Sequence, residues 1–122
     1  MRTTFTNDYG CSFITVVFEK DAFDIIEGIL ASYEDIDTYF YIRHDRDDDI
    51  ACHYHFFVRF KHNLPLSVAQ EWLNDLNTRF KLCKATINEV MDYFLQKDCI
   101  NKFSQRYPLN SVRGNIDLTQ FE

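Results

Sequence analysis

A chain of 122 residues with 46% hydrophobic and 16% aromatic side chains is long enough to close one core and too short for two ordinary domains. Its formal charge of −6 excludes a protein that coats nucleic acid through a basic surface, since sequence-independent affinity for phosphates comes from lysine and arginine; a site that grips a few nucleotides stays open. No stretch approaches the roughly 20 apolar residues of a membrane span, and the amino terminus lacks the charged-then-apolar pattern of a signal peptide, so a soluble cytoplasmic protein is expected.

Residues 1 to 9 are polar and read as a frayed start. Cys11 to Phe18 is rich in Val, Ile, Thr and Phe, apolar on both faces, and predicts a central strand. Asp21 opens a helical pattern in which Phe23, Ile26, Ile29 and Leu30 recur at helical spacing through Tyr33. Thr38 to His44 predicts a second strand with aromatic alternation, followed by an acidic loop from Asp45 to Ile50. Cys52 to Phe60 predicts a third; alternation puts His53, His55, Phe57 and Arg59 on one side and Cys52, Tyr54, Phe56, Val58 and Phe60 on a core side.

Pro65 breaks the pattern, and Ser67-Val68-Ala69-Gln70 is a capping box that opens a helix carrying Trp72, Leu73 and Leu76. Arg79 to Ala85 can form a further strand. Thr86-Ile87-Asn88-Glu89 is a second capping box, opening a helix from Ile87 to about Asp98. Residues 101 to 122 turn polar, with Pro108 and Gly114, and read as an irregular tail suited to covering a partner subunit. The order strand, helix, strand, strand, helix, strand, helix fits an α+β fold in one domain: a ferredoxin-like antiparallel sheet with packed helices. Cys11, Cys52, Cys83 and Cys99 are too widely spaced for a metal knuckle and read as small buried hydrophobes.

The third strand carries the chemistry. His53 and His55 lie one strand pitch apart on one side, a spacing at which both imidazoles bind one cation through neutral nitrogens. His44 and Asp47, at the end of a neighbouring strand, offer a third nitrogen and a carboxylate, while the other aspartates of that loop read as a solvated turn. Such a mixed set suits Mn²⁺, Mg²⁺ or Zn²⁺ with open positions for phosphate oxygens. On the last predicted helix Ile87, Met91, Phe94 and Leu95 share one side, and Tyr93 and Lys97 lie together at its edge. A free phenol, with a pKa near 10, is a poor nucleophile until a cation stabilises phenolate or the phosphate it attacks, which a metal and Lys97 would do. The plain alternative is a surface lysine, one packing tyrosine among seven, and incidental histidines. His62 reads as structural or exposed.

In this order, His44-Asp45-Arg46-Asp47, His53-Tyr54-His55-Phe56-Phe57 and Asp92-Tyr93-Phe94-Leu95-Gln96-Lys97-Asp98 resemble the HUH endonucleases. These are the Rep and relaxase group that starts rolling-circle replication of plasmids and of single-stranded or small viral genomes, and the small plasmid Rep proteins are the most similar. The resemblance implies a nicking domain in which His53 and His55 hold a divalent metal, Mn²⁺ or Mg²⁺ with Zn²⁺ also open, completed or supported by His44 and Asp47. It makes Tyr93 the nucleophile and gives Lys97 the task of orienting or neutralising phosphate. The implied activity is nicking and rejoining of single-stranded DNA at a replication origin. The 5′ end is left as a phosphotyrosine ester and a 3′ hydroxyl primes synthesis by the host replication machinery in the host cytoplasm.

Two features depart from the family pattern. The loop between Asp47 and His53 is shorter than in many plasmid relatives. Only one tyrosine occupies the motif, Phe94 taking the next position, which implies reversal of the covalent step or a homodimer sharing the work. Three other readings use the same residues. A relaxase or single-tyrosine transposase shares the chemistry and differs in substrate; a non-catalytic ferredoxin-like nucleic-acid-binding module binds no metal at the histidines; and a metal-dependent hydrolase forms no protein-linked intermediate.

Overall fold

The computed structural model describes residues 12–31, 33–45, 51–61, 81–96 and 107–121. Strand β1 (Ser12–Phe18) runs directly into helix α1 (Glu19–Ala31), and a single 3-10 turn at Tyr33–Asp35 leads into β2 (Ile36–His44), to which β3 (His53–Phe60) returns antiparallel. A short strand β4 (Lys81–Leu82) precedes helix α2 (Ile87–Phe94), and β5 (Arg113–Gly114) follows. The spatial order is β4-β1-β3-β2-β5 and every pairing is antiparallel, so the class is α+β. β3 sits at the centre, flanked by the two longest partners, which is where an unbroken apolar run is most at home.

Each face of the sheet carries an apolar cluster. Phe56, Val58 and Phe60 of β3 pack with Phe13 and Val17 of β1 against Ala22, Ile25 and Ile29 of α1. Phe57, from the other side of the strand, packs with Phe40 and Ile42 of β2 against Val90, Met91 and Phe94 of α2, joined by Tyr107 and Val112. The expectation of one core side for β3 is thereby revised. Its histidine side is core at Phe57, and only the His53 end is shaped as a site. Along α1 the buried positions are Ala22, Ile25 and Ile29, while Phe23 is 75% and Leu30 55% exposed. The helix turns its more compact stripe to the sheet, one step round from the larger residues that mark the periodicity.

The tail expected to cover a partner subunit covers its own domain over residues 107–121. Arg113 and Gly114 pair with Tyr41 and Phe40 of β2. The Asn115 side chain accepts from the Tyr39 N–H at 2.8 Å and donates to the Asp37 carbonyl at 3.2 Å. Gly114 has φ +142°, and a Cβ there would strike the Tyr39 carbonyl and the Phe40 Cα, so this edge strand needs a glycine. The expected helix over Ser67 to Leu76, with Trp72, lies outside the described residues, as do His62, Cys11 and Cys99. Among the described residues no helix is long and apolar enough to cross a membrane.

Candidate metal centre and tyrosine

The β2–β3 register sets His44 directly opposite His53 and Ile42 opposite His55. Because residues two apart on a strand share a face, and directly opposed residues share it too, all three imidazoles emerge on the α2 side. Ring centroids are 5.3 Å apart for His44 and His53, 5.1 Å for His53 and His55, and 4.2 Å for His44 and His55. One ring nitrogen from each lies within 4.8 Å of the other two, and the three histidines are close enough to hold a metal ion. All three are buried.

Two of the rings have their tautomers set by carbonyls, which only accept. His53 Nδ1 donates to the Ala51 carbonyl at 2.9 Å, which leaves the lone pair on Nε2. His44 Nε2 donates to the Phe94 carbonyl at 2.6 Å, so its lone pair is on Nδ1, where the Gln96 amide donates at 3.4 Å. The His44 ring also lies flat on Tyr107, at a centroid distance of 4.3 Å and an angle of 10°. His44 is therefore both a candidate ligand and a bolt between the sheet, the end of α2 and residue 107. Three clustered imidazoles, two of them oriented by backbone carbonyls, suit a borderline divalent cation.

Helix α2 supplies the phenol. Thr86 Oγ1 accepts from the Glu89 N–H at 3.1 Å and the Glu89 carboxylate accepts from the Thr86 N–H at 3.2 Å, the reciprocal cap foreseen from the sequence. Val90, Met91 and Phe94 turn to the sheet, which leaves Tyr93 at the rim, 59% exposed, with its ring edge-on to His55 at 5.4 Å between centroids. Gln96 ends the helix in the left-handed region at φ 54°, and the Tyr107 N–H donates to the Leu95 carbonyl at 3.2 Å. Between Tyr93 and β1 opens a cleft of about 320 Å³ lined by Ile14, Thr15, Val16, His55, Lys81, Tyr93 and Phe94.

The structure thus brings together His44, His53, His55 and Tyr93, whereas Asp47 and Lys97 lie outside the described residues. Asp45 is committed to Arg43 at 2.9 Å, which also holds Glu19 at 2.9 Å, in keeping with a solvated turn. Gln96 and Tyr107 were not foreseen: a lone amide and a tyrosine in a polar stretch carry no spacing signal. On the α1 face the Tyr41 and Tyr54 phenols are raised above their ordinary pKa, chiefly by burial, and offer no phenolate there. Comparisons of the chain with family models, with curated proteins and with solved structures return no match.

Proposed function

We propose that this chain nicks and rejoins single-stranded DNA, with Tyr93 as the nucleophile and a divalent metal held by His53, His55 and His44, in the role of a rolling-circle replication initiator of the HUH type. The observation that carries this reading is the exposed phenol of Tyr93 standing edge-on to His55 at 5.4 Å, at the rim of the histidine cluster. A cation bound there would polarise a phosphate oxygen and stabilise the charge that builds on it. The Tyr93 oxygen forms a bond to phosphorus as the bond from phosphorus to the 3′ oxygen breaks. The phenolic proton is released and the departing 3′ oxygen gains one. One phosphoester replaces another, so the reverse attack by the 3′ hydroxyl rejoins the strand without an energy source.

Asp47 as a further ligand and Lys97 as the charge opposite the phosphate complete the proposal on sequence grounds. The origin strand and the host replication machinery are the proposed partners, and Mn²⁺ or Mg²⁺ the proposed metal, Zn²⁺ being the alternative. A single phenol works by reversal or by two protomers acting in turn.

The test mixes the protein with an end-labelled single-stranded oligonucleotide and Mn²⁺, then looks for a denaturation-resistant adduct. The wild type is expected to give one, chelation to remove it, and Tyr93→Phe to abolish it with the fold intact, because only an exposed hydroxyl is deleted. Cleaved product without an adduct indicates the water-using hydrolase instead. Undiminished nicking by Tyr93→Phe removes Tyr93 from the mechanism.

A further inference from the structure

Helix α2 covers only part of its side of the sheet. Phe40 and Phe57 stack at 4.8 Å beneath it and Phe94 meets Phe40 edge-on at 5.2 Å, so α2 sits over β2 and β3. On β1 no described element covers the same face. Val16 lies directly opposite His55 and Phe18 directly opposite His53, and these two apolar side chains are 43% and 49% exposed. Lys81 pairs with Ile14, which puts its side chain on this face at the far wall of the cleft.

The composition of that strip is unusual for this chain. In a protein of formal charge −6, the described residues lining the cleft include one charged side chain, Lys81, and no carboxylate. Lys81 makes no ion pair among the described residues. Thr15 shares the lining, but strand alternation turns its side chain to the α1 face, opposite Phe56. Apart from the histidine and the Tyr93 phenol, the described part of this surface is apolar with one cation at its edge. That combination matches a flat ring with an anion attached to it, and the described residues present few groups with which to read hydrogen-bonding edges.

We infer that Val16, Phe18 and Lys81 form a track for the nucleotides flanking the cleaved phosphate, one that stacks bases on Phe18 and the Val16 cleft, neutralises a phosphate at Lys81, and does not distinguish one base from another. This rests on the strand-nicking reading for its choice of single-stranded DNA. It adds that sequence choice at these positions lies outside the track, because base faces are common to all four bases whereas base edges are not.

The experiment measures binding of a fluorescent single-stranded oligonucleotide by anisotropy, in chelator and in the Tyr93→Phe background, so that neither metal nor covalent capture contributes. Phe18→Ala is expected to weaken binding roughly tenfold, with Phe18→Trp restoring it. Lys81→Gln is expected to reduce the slope of log affinity against log salt by about 0.7, the contribution of one phosphate on a single strand. Exchanging the base at the flanking positions should change affinity less than about threefold, whereas an abasic residue there should reproduce the Phe18→Ala loss.

Wild-type affinity in both Phe18→Ala and Lys81→Gln overturns the track, as does preference for duplex, a base preference of tenfold or more, or absence of binding by the parent. Both side chains are exposed, and thermal melts of the variants establish that they fold. The adduct assay is separate: a chain that forms the adduct but binds independently of Phe18 and Lys81 loses the track and keeps the nicking reading. A chain that binds through them and forms no adduct does the reverse.

Discussion

Among the three histidines His44 has the heaviest structural duty. It donates to the Phe94 carbonyl at 2.6 Å and lies flat on Tyr107, whereas the His53 hydrogen bond to the Ala51 carbonyl spans two residues of its own chain. His44→Ala leaves a buried carbonyl without its donor and a cavity beneath a buried ring, at a cost of about 2–4 kcal/mol before any metal is added. His53→Ala gives up a local hydrogen bond and leaves a smaller unfilled space at a ring that is 6% exposed, and is expected to cost less, about 1–2 kcal/mol. A cation that binds only the folded chain adds about 2.7 kcal/mol at a hundred times its dissociation constant, and this gain needs the paired imidazoles. Thermal melts with and without Mn²⁺ separate the two roles. His53→Ala should melt closer to the wild type in chelator and fail to respond to Mn²⁺, while His44→Ala should melt lower in chelator. Equal losses for both variants without metal would refute this division of labour.

At the scale of elements, α2 is the one on which the site depends and the one least able to stand alone. Its eight residues fall short of the length at which an isolated helix persists in water, so cap and burial must hold it. Thr86→Ala removes one half of a reciprocal cap and is expected to lower stability by about 1 kcal/mol in urea melts with an unchanged slope, because nothing in the core moves. Gly114→Ala is expected to cost more, about 2–4 kcal/mol, since the added methyl meets β2 backbone and the φ is one that alanine resists; β5 detaches or β2 shifts. The cap was legible in the sequence because both partners lie within four residues. The meeting of His44 and His53 was legible too, since β2 and β3 are consecutive strands and their ends face each other across one loop. β5 was not, because two residues carry no periodicity and their pairing joins Phe40 to Gly114 across most of the chain. The buried stripe of α1 was partly hidden. The pattern Phe23, Ile26, Ile29 and Leu30 caught Ile29 and missed Ala22 and Ile25, because the stripes on either side of Ile29 have the same helical spacing and only the sheet beneath decides between them. The exposed strip of β1 escaped for the same reason, since an apolar strand shows no sign of which residues a helix will cover.

The molecule as a whole is a sheet with an apolar layer on each side, and the two layers are not built alike. The α1 layer comes from a helix contiguous with β1, whereas the other is assembled from α2 and from residues 107–121, which return late in the chain. That second layer contains the site, and its late segment is not an accessory to it. Tyr107 and Val112 are each 2% exposed, and Tyr107 lies on His44 while its N–H donates to the Leu95 carbonyl just past Tyr93. Removing two such side chains from a core costs about 4–6 kcal/mol, comparable with the entire stability of an ordinary domain, about 5–15 kcal/mol. A chain shortened to end before Tyr107 is therefore expected to lose its cooperative thermal transition and its near-ultraviolet circular dichroism, and to bind no Mn²⁺. Adding residues 107–122 as a separate peptide should restore part of both signals at high peptide concentration, because the missing contacts are non-covalent. A shortened chain that melts cooperatively within a few degrees of the full one, and still binds the metal, would show that the histidines and α2 hold their arrangement without the return of the chain.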